Sequence, residues 1–232
     1  MVFMQGCPLR CQYCHNPDTW DTTKGKKMTV EEILEGYERV KSFLKNGGLT
    51  VTGGEPLLQL EFVIKLLEQA KKRGIHTCVD TSGITFREEN EKLRDQFDRL
   101  ISVTDLFLLD LKQIDDTKHI SLTGVSNQNV VAFAKYLSEK GKDVWIRHVV
   151  VPDLTYEEES LRKLGYFIGG LKNVKALDVL PYHTMGAVKY EAMGMEYPLK
   201  GVEALEKEQT LKARGLIIEG IRERRNEFYT TL

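Results

Sequence analysis

From Leu49 onward, short β-branched or apolar runs alternate with longer stretches whose apolar residues recur at the spacing of a helix face. That alternation predicts β/α units wound into a mostly parallel sheet. Strands are expected at Leu49 to Thr52, Ile75 to Val79, Leu106 to Leu111, Val144 to Val151 and Val174 to Leu180, with a stub at Val2 to Gln5. The first helix shows its own boundaries. Thr29 and Glu32 stand at capping-box spacing, Ile33, Leu34, Tyr37, Val40 and Leu44 make one apolar face, and Gly47 supplies a stop. Thr155 with Glu158 repeats the start signal, and further helices are expected at Leu58 to Arg73, Glu88 to Arg99, Gln128 to Gly141, Tyr156 to Gly170 and Glu203 to Arg225.

Polar residues of unusual type fall at or just after the carboxyl ends of these strands: Cys7 to Cys14, Gly53-Gly54-Glu55, Asp80-Thr81, Asp110 with Lys112, and His183. In a barrel of parallel strands those ends converge on one mouth. Six β/α units are too few for the ordinary eight-stranded closure. The expected α/β architecture is therefore a partial (β/α)6 TIM-like barrel whose open side could admit a large substrate.

Composition narrows this picture. A chain of 232 residues predicts a single domain over positions 1–232. With 33 basic against 34 acidic residues there is no global positive field, which argues against nucleic acid or an anionic membrane as partner. No apolar run is long enough to span a bilayer, and Met1-Val2-Phe3-Met4-Gln5-Gly6-Cys7 lacks a charged leader, so a cytoplasmic address is expected. Three of the four cysteines lie within eight residues, an arrangement of ligands rather than of disulfides.

Cys7, Cys11 and Cys14, spaced C-x-x-x-C-x-x-C, offer three thiolates to a four-iron four-sulfur cluster and leave one iron without a protein ligand. Such an iron can chelate the amino and carboxylate groups of S-adenosylmethionine and pass an electron to its sulfonium. Other chemistries share these residues. Cys11-Gln12-Tyr13-Cys14-His15 has the spacing of a haem attachment site but does not use Cys7. Zinc could take the three cysteines with His15 or Cys78. A C-x-x-C redox pair again leaves Cys7 idle. Tyr13 could pack beside an adenine or simply cover a cluster from water. Gly53-Gly54-Glu55-Pro56 offers flexible backbone and a carboxylate to an ammonium, although glycine pairs also mark ordinary turns.

Gly6-Cys7-Pro8-Leu9-Arg10-Cys11-Gln12-Tyr13-Cys14-His15-Asn16-Pro17-Asp18-Thr19-Trp20-Asp21 resembles the radical S-adenosylmethionine enzymes that activate glycyl radical enzymes. The likeness extends through Val51 to Pro56, His76 to Gly83, Leu109 to Gln113, Trp145 to Pro152 and Leu180 to His183. It implies a barrel of the radical S-adenosylmethionine type and an adenosyl radical that takes hydrogen from a glycine of a partner protein. The cysteines are then cluster ligands. Gly53, Gly54 and Glu55 hold the methionine end, and Tyr13, His15, Asn16, Asp110, Leu111, Lys112 and His183 line the cofactor. Asp80, Thr81 and Asp110 match positions for a monovalent cation, sodium or potassium, and Arg147 matches one that receives the glycine-bearing loop. Lys112 and Arg147 are grouped with the cysteines as catalytic residues, with ordinary ion pairing as the competing explanation. Cys78 reads as an inert buried thiol, and His76, His119 and His148 acquire no role.

The same resemblance implies pyruvate formate-lyase as the partner, because Trp20 passes through a short polar loop to Thr29 without a cysteine-bearing insertion. It also implies reduced flavodoxin or ferredoxin as electron donor, and a monomer. Relatives carry an Asp-Gly-Pro-Gly segment and most of the first strand ahead of the position of Met1. The first strand is accordingly expected to be truncated, with its edge underprotected and with lower stability or activity than a chain bearing that segment. Two other functions fit the same residues. One is a radical enzyme acting on a small molecule or another glycyl radical enzyme, and the other a non-catalytic zinc module.

Overall fold

A computed structural model describes residues 1–45 and 47–230. Six strands, β1 (Val2–Met4), β2 (Leu49–Gly53), β3 (Thr77–Thr81), β4 (Leu106–Asp110), β5 (Val144–Val150) and β6 (Val174–Pro181), form one sheet in chain order, parallel at each pairing. β1 and β6 are its two edges. The barrel is therefore partial and open, as expected from six units. β1 is three residues long and pairs only with β2.

Among the described residues there are eight α-helices, α1 (Val30–Val40), α2 (Leu60–Lys72), α3 (Glu91–Val103), α4 (Asp116–Thr123), α5 (Gln128–Glu139), α6 (Glu158–Gly169), α7 (Ala187–Ala192) and α8 (Lys207–Thr230); α4 and α7 pack against the cysteine loop and the others cover the outer face. Alternate strand residues Val51, Val79, Phe107, Leu109, Ile146 and Val150 are completely buried beneath them. Phe86, Phe97 and Phe133 fill the gap between helices, with ring centroids 5.0–5.4 Å apart. The opposite strand face carries Thr50, Thr52, Asp80, Asp110 and Arg147, so the sheet separates an apolar outside from a polar inside.

Local signals set several boundaries. The Thr29–Glu32 capping box forms in both directions, with Thr29 Oγ1 accepting from the Glu32 amide and Glu32 Oε2 accepting from the Thr29 amide. α1 ends earlier than its apolar pattern suggested, passing into a 3-10 turn at Lys41–Phe43 with Val40 largely exposed. Position 46 lies outside the described residues, and Gly47 follows the turn rather than the helix. β3 starts two residues later than expected, because Gly74, at φ +68°, ends α2 and the Ile75 amide still donates to Ala70 O. α3 starts at Glu91, where Asn90 accepts from the Leu93 amide. Thr155 does not cap α6. Its hydroxyl accepts from the Val151 amide at 2.7 Å and donates to Val149 O at 2.9 Å, and α6 begins at Glu158. α8 begins at Lys207 and runs to Thr230. α4 is absent from the expected elements; Asp115 caps it and Gly124, at φ +84°, stops it.

Asp105 locks the entry to β3 and β4. It accepts from the Thr77 amide and hydroxyl at 2.8 and 3.1 Å and from Lys71 at 2.6 Å. Partial burial opposes its charge, but Lys71 and Thr77 hold its carboxyl below the usual carboxylate range. Stability from this group is thus present above the unfolded carboxylate pKa of about 3.9 and is lost as the pH falls through the lower folded value. Asp105→Asn is expected to cost about 1–2 kcal/mol at pH 7 in urea denaturation. The difference from the parent narrows below about pH 4.

Candidate functional site

At the carboxyl ends of the strands lies a cavity of about 200 Å³. Its wall includes Cys7, Cys11, Tyr13, Cys14, His15, Asn16, Gly53, Gly54, Glu55, Asp80, Thr81, Asp110, Lys112 and Arg147. The fold thus gathers residues from five β/α units, as the positions after strand ends led one to expect. Leu111 is not on the wall; its side chain is buried in the core. His183 lies behind His15, with the two rings stacked at 4.0 Å and 16°.

All four cysteines are free thiols. Burial pushes Cys7 up to about 11 and Cys11 up to about 12, while the Lys112 ammonium favours the thiolates. Cys14 is raised by the same cause. Each thiol is therefore neutral until a metal displaces its proton. Among the described residues, no three His, Cys, Asp or Glu side chains converge on a single-ion position. Three thiols spread around one cavity suit a polynuclear cluster better than one tetrahedral zinc. Of the other zinc ligands considered, His15 is on the wall but stacked on His183, and Cys78 is absent from the wall.

The two glycines after β2 answer first to packing. Gly53 adopts φ +123°, and a Cβ there would collide with the Met4 backbone; at Gly54 it would collide with Gly6 O. Those contacts bring the end of β2 against the cysteine loop, with Gly54 N donating to Met4 O at 2.9 Å and Glu55 N to Gly6 O at 2.7 Å. The Glu55 carboxylate is fully buried and occupied within the chain. One oxygen accepts from Thr81 Oγ1 and the Leu57 amide, at 2.6 and 3.1 Å. The other accepts from the Ser82 amide and hydroxyl, at 3.0 and 2.5 Å. Burial raises its pKa despite these bonds. Its side chain ties β2 to β3.

Opposite charges alternate across the inner face. Arg147 lies 2.9 Å from Asp80, which also accepts from Thr52 Oγ1 at 2.9 Å. Lys112 lies 3.0 Å from Asp110 and 5.8 Å from the centre of the Tyr13 ring. Burial, then repulsion from Asp110, raises the Asp80 carboxyl, against the pull of Arg147. Burial opposes the charge of Lys112, yet Asp110 keeps it protonated well above the ordinary lysine range.

Several contributors escaped the sequence reading. Thr52 and Ser82 line the cavity; the alternation of Thr50 and Thr52 along an otherwise apolar strand was the available signal. Lys189, on α7, donates to Asn16 Oδ1 at 2.8 Å and to Asp18 Oδ1 at 2.9 Å. Trp20 meets Tyr190 edge-on at 5.8 Å. These contacts fasten the segment after β6 onto the cysteine loop, and nothing local in the sequence announces them.

With this geometry established, comparison with known proteins places it. Residues 1–164 match the Radical SAM superfamily. The chain is 47% identical over 219 residues to the pyruvate formate-lyase-activating enzyme of Listeria monocytogenes, covering 94% of this chain and 88% of the relative. It is 45% identical over 219 residues to the pyruvate formate-lyase 1-activating enzyme of Escherichia coli, covering 94% and 87%. Among solved structures, Streptococcus suis SuiB bound to S-adenosylmethionine matches the fold with a TM-score of 0.69 at 18% identity, over 96% of this chain and 47% of that one.

Proposed function

Because the chain belongs to the radical SAM superfamily and, within it, to the pyruvate formate-lyase-activating enzymes, we propose that it abstracts a hydrogen atom from one glycine of pyruvate formate-lyase. A four-iron four-sulfur cluster, when bound, supplies the electron that splits S-adenosylmethionine into methionine and a 5′-deoxyadenosyl radical. That radical becomes 5′-deoxyadenosine on taking the glycine hydrogen, and the glycyl radical remains on the partner.

The residues of this chain bind, orient and shield. Cys7, Cys11 and Cys14 would hold the cluster. The Gly53–Glu55 loop receives the methionine end with its backbone, held against the cysteine loop by the close approach of Gly53 to Met4 and of Gly54 to Gly6. Glu55 keeps that loop in place through Thr81 and Ser82. Lys112, Asp110, Tyr13, His15 and Asn16 form the cofactor wall, with His183 stacked behind His15. The His183 Nδ1 atom is buried and has no partner in the structure, which leaves it available to a bound group. Arg147 presents a fixed cation to the incoming glycine segment. Asp80, Thr81 and Asp110 would hold a monovalent cation, sodium or potassium, which would offset the negative charge of the two carboxylates. The chain acts as a monomer with residues 1–232 as one radical SAM domain, and draws its electron from reduced flavodoxin or ferredoxin. No helix of the described residues is long and apolar enough to cross a membrane.

The observation that carries this reading is the convergence of three free thiols with Lys112–Asp110 and Arg147–Asp80 on one cavity of an open barrel. Its test is anaerobic reconstitution followed by electron paramagnetic resonance of the reduced protein, then addition of pyruvate formate-lyase. The expected result is a cluster signal that changes with S-adenosylmethionine, and then a glycyl radical doublet on the partner. Zinc in place of iron, or S-adenosylmethionine cleavage with no radical on the partner, would overturn it.

A further inference from the structure

Along β5 the burial alternates. Val144, Ile146, His148 and Val150 are buried on the helix side, while Trp145, Arg147 and Val149 take the other face. Arg147 and Val149 line the cavity. Trp145 does not, yet it belongs to the same inner face, because Leu108 is in register with both Trp145 and Asp80. Residues in register on neighbouring strands point the same way. An indole inside a concave sheet is ordinarily a packing residue, but Trp145 is 44% exposed. Large apolar groups left open in concave faces are anchors for a partner side chain.

The neighbouring strand is irregular beside this indole. Val144 is in register with Val174, but Trp145 is in register with Ala176, so Lys175 is an extra residue that bulges out of the ladder. Bulges next to active sites re-aim side chains. Here the bulge leaves Lys175 exposed and sets a methyl group beside the indole on an edge strand.

Resting on the function proposed above, we infer that Trp145 is a specificity-determining contact for the protein substrate, receiving an apolar side chain two residues from the target glycine. Trp145 and Arg147 are two positions apart on one strand face, roughly 6–7 Å along the strand. An extended segment whose glycine enters the cavity beside Arg147 advances by the same distance in two residues, which brings the second side chain onto the indole. Serine there leaves the indole uncovered; an aliphatic residue removes both surfaces from water.

The test uses the reconstituted protein with S-adenosylmethionine and two labelled nine-residue peptides. One is centred on the radical-bearing glycine of pyruvate formate-lyase, and its twin carries serine two positions to either side. Fluorescence anisotropy is expected to show the first binding at least about tenfold more tightly. Trp145→Ala should bring the first peptide to within about threefold of the second, and Trp145→Phe should restore most of the difference. With intact pyruvate formate-lyase, Trp145→Ala should raise KM about tenfold and change kcat less than about threefold. Equal binding of the two peptides, no binding of either, or an unaltered KM in Trp145→Ala would overturn the inference. Activation of pyruvate formate-lyase by the unmodified protein would still stand in each of those cases. Its failure would instead remove the parent reading.

Discussion

Replacing Cys7, Cys11 or Cys14 by serine, one at a time, is expected to abolish stable iron and labile sulfide binding after anaerobic reconstitution. Glycyl radical formation should then fall by at least about a hundredfold. Partners one step removed from a metal typically cost 10–100-fold when lost, so loss of a ligand itself sets that floor. The argument rests on number and place. Three free thiols face one cavity, and the acidic side chains on its wall are already engaged, Glu55 by Thr81 and Ser82, Asp80 by Arg147 and Asp110 by Lys112. Cys78→Ala is the contrasting case. Cys78 is buried on β3, is absent from the cavity wall, and has its thiol raised to about 11 by burial, with Asp80 adding to the effect. Its loss should cost about 1 kcal/mol of stability and leave iron content unchanged. Iron and sulfide assays of the four variants decide the matter; a cluster in Cys11→Ser at parent stoichiometry would show that the thiol is not a ligand.

Gly54→Ala is expected to destabilise the protein by about 3 kcal/mol and to lower activation of the partner at least about tenfold. A Cβ at this position would meet Gly6 O and would lie 3.0 Å from Thr19 Oγ1. Neither neighbour is a flexible tip. Gly6 O accepts from the Glu55 amide at 2.7 Å, and Gly6 N donates to Thr19 O at 2.6 Å. The cysteine loop must therefore move as a unit, and displacement of about 1 Å in a reacting geometry can cost a factor of about a hundred. Gly36→Ala provides the comparison. Gly36 is in the interior of α1, where the nearest group to an added Cβ is the end of Arg39 at 3.7 Å. That change should stabilise by about 0.5–1 kcal/mol through helix propensity. Thermal denaturation under anaerobic conditions measures both, and a Gly54→Ala midpoint equal to that of the parent would refute the packing argument.

Much of the fold was legible because its signals act over short distances. Alternating apolar runs marked all six strands, and Thr29–Glu32 marked the start of α1. The boundaries that moved were those where a local signal met a tertiary competitor. Thr155 stands three residues before Glu158, as Thr29 stands before Glu32, but its hydroxyl is taken by the backbone of Val149 and Val151. α4 buries only part of one side and lacks a strong apolar stripe, so its caps at Asp115 and Gly124 were its only announcement.

The sequence by itself determined that three cysteines within eight residues share one loop however the rest folds. It also determined the parallel open barrel and, by placing polar residues after strand ends, most of the cavity wall. Tertiary structure alone decided how those residues are used. Glu55 is occupied by Thr81 and Ser82, Lys189 fastens Asn16 and Asp18 from more than 170 residues away, and Trp145 stays exposed beside a bulge in a different strand. The physical reason is range. Caps, turns and periodic faces depend on neighbours within about four residues, whereas hydrogen-bond partners, burial and strand register depend on which distant segments the packed core brings together.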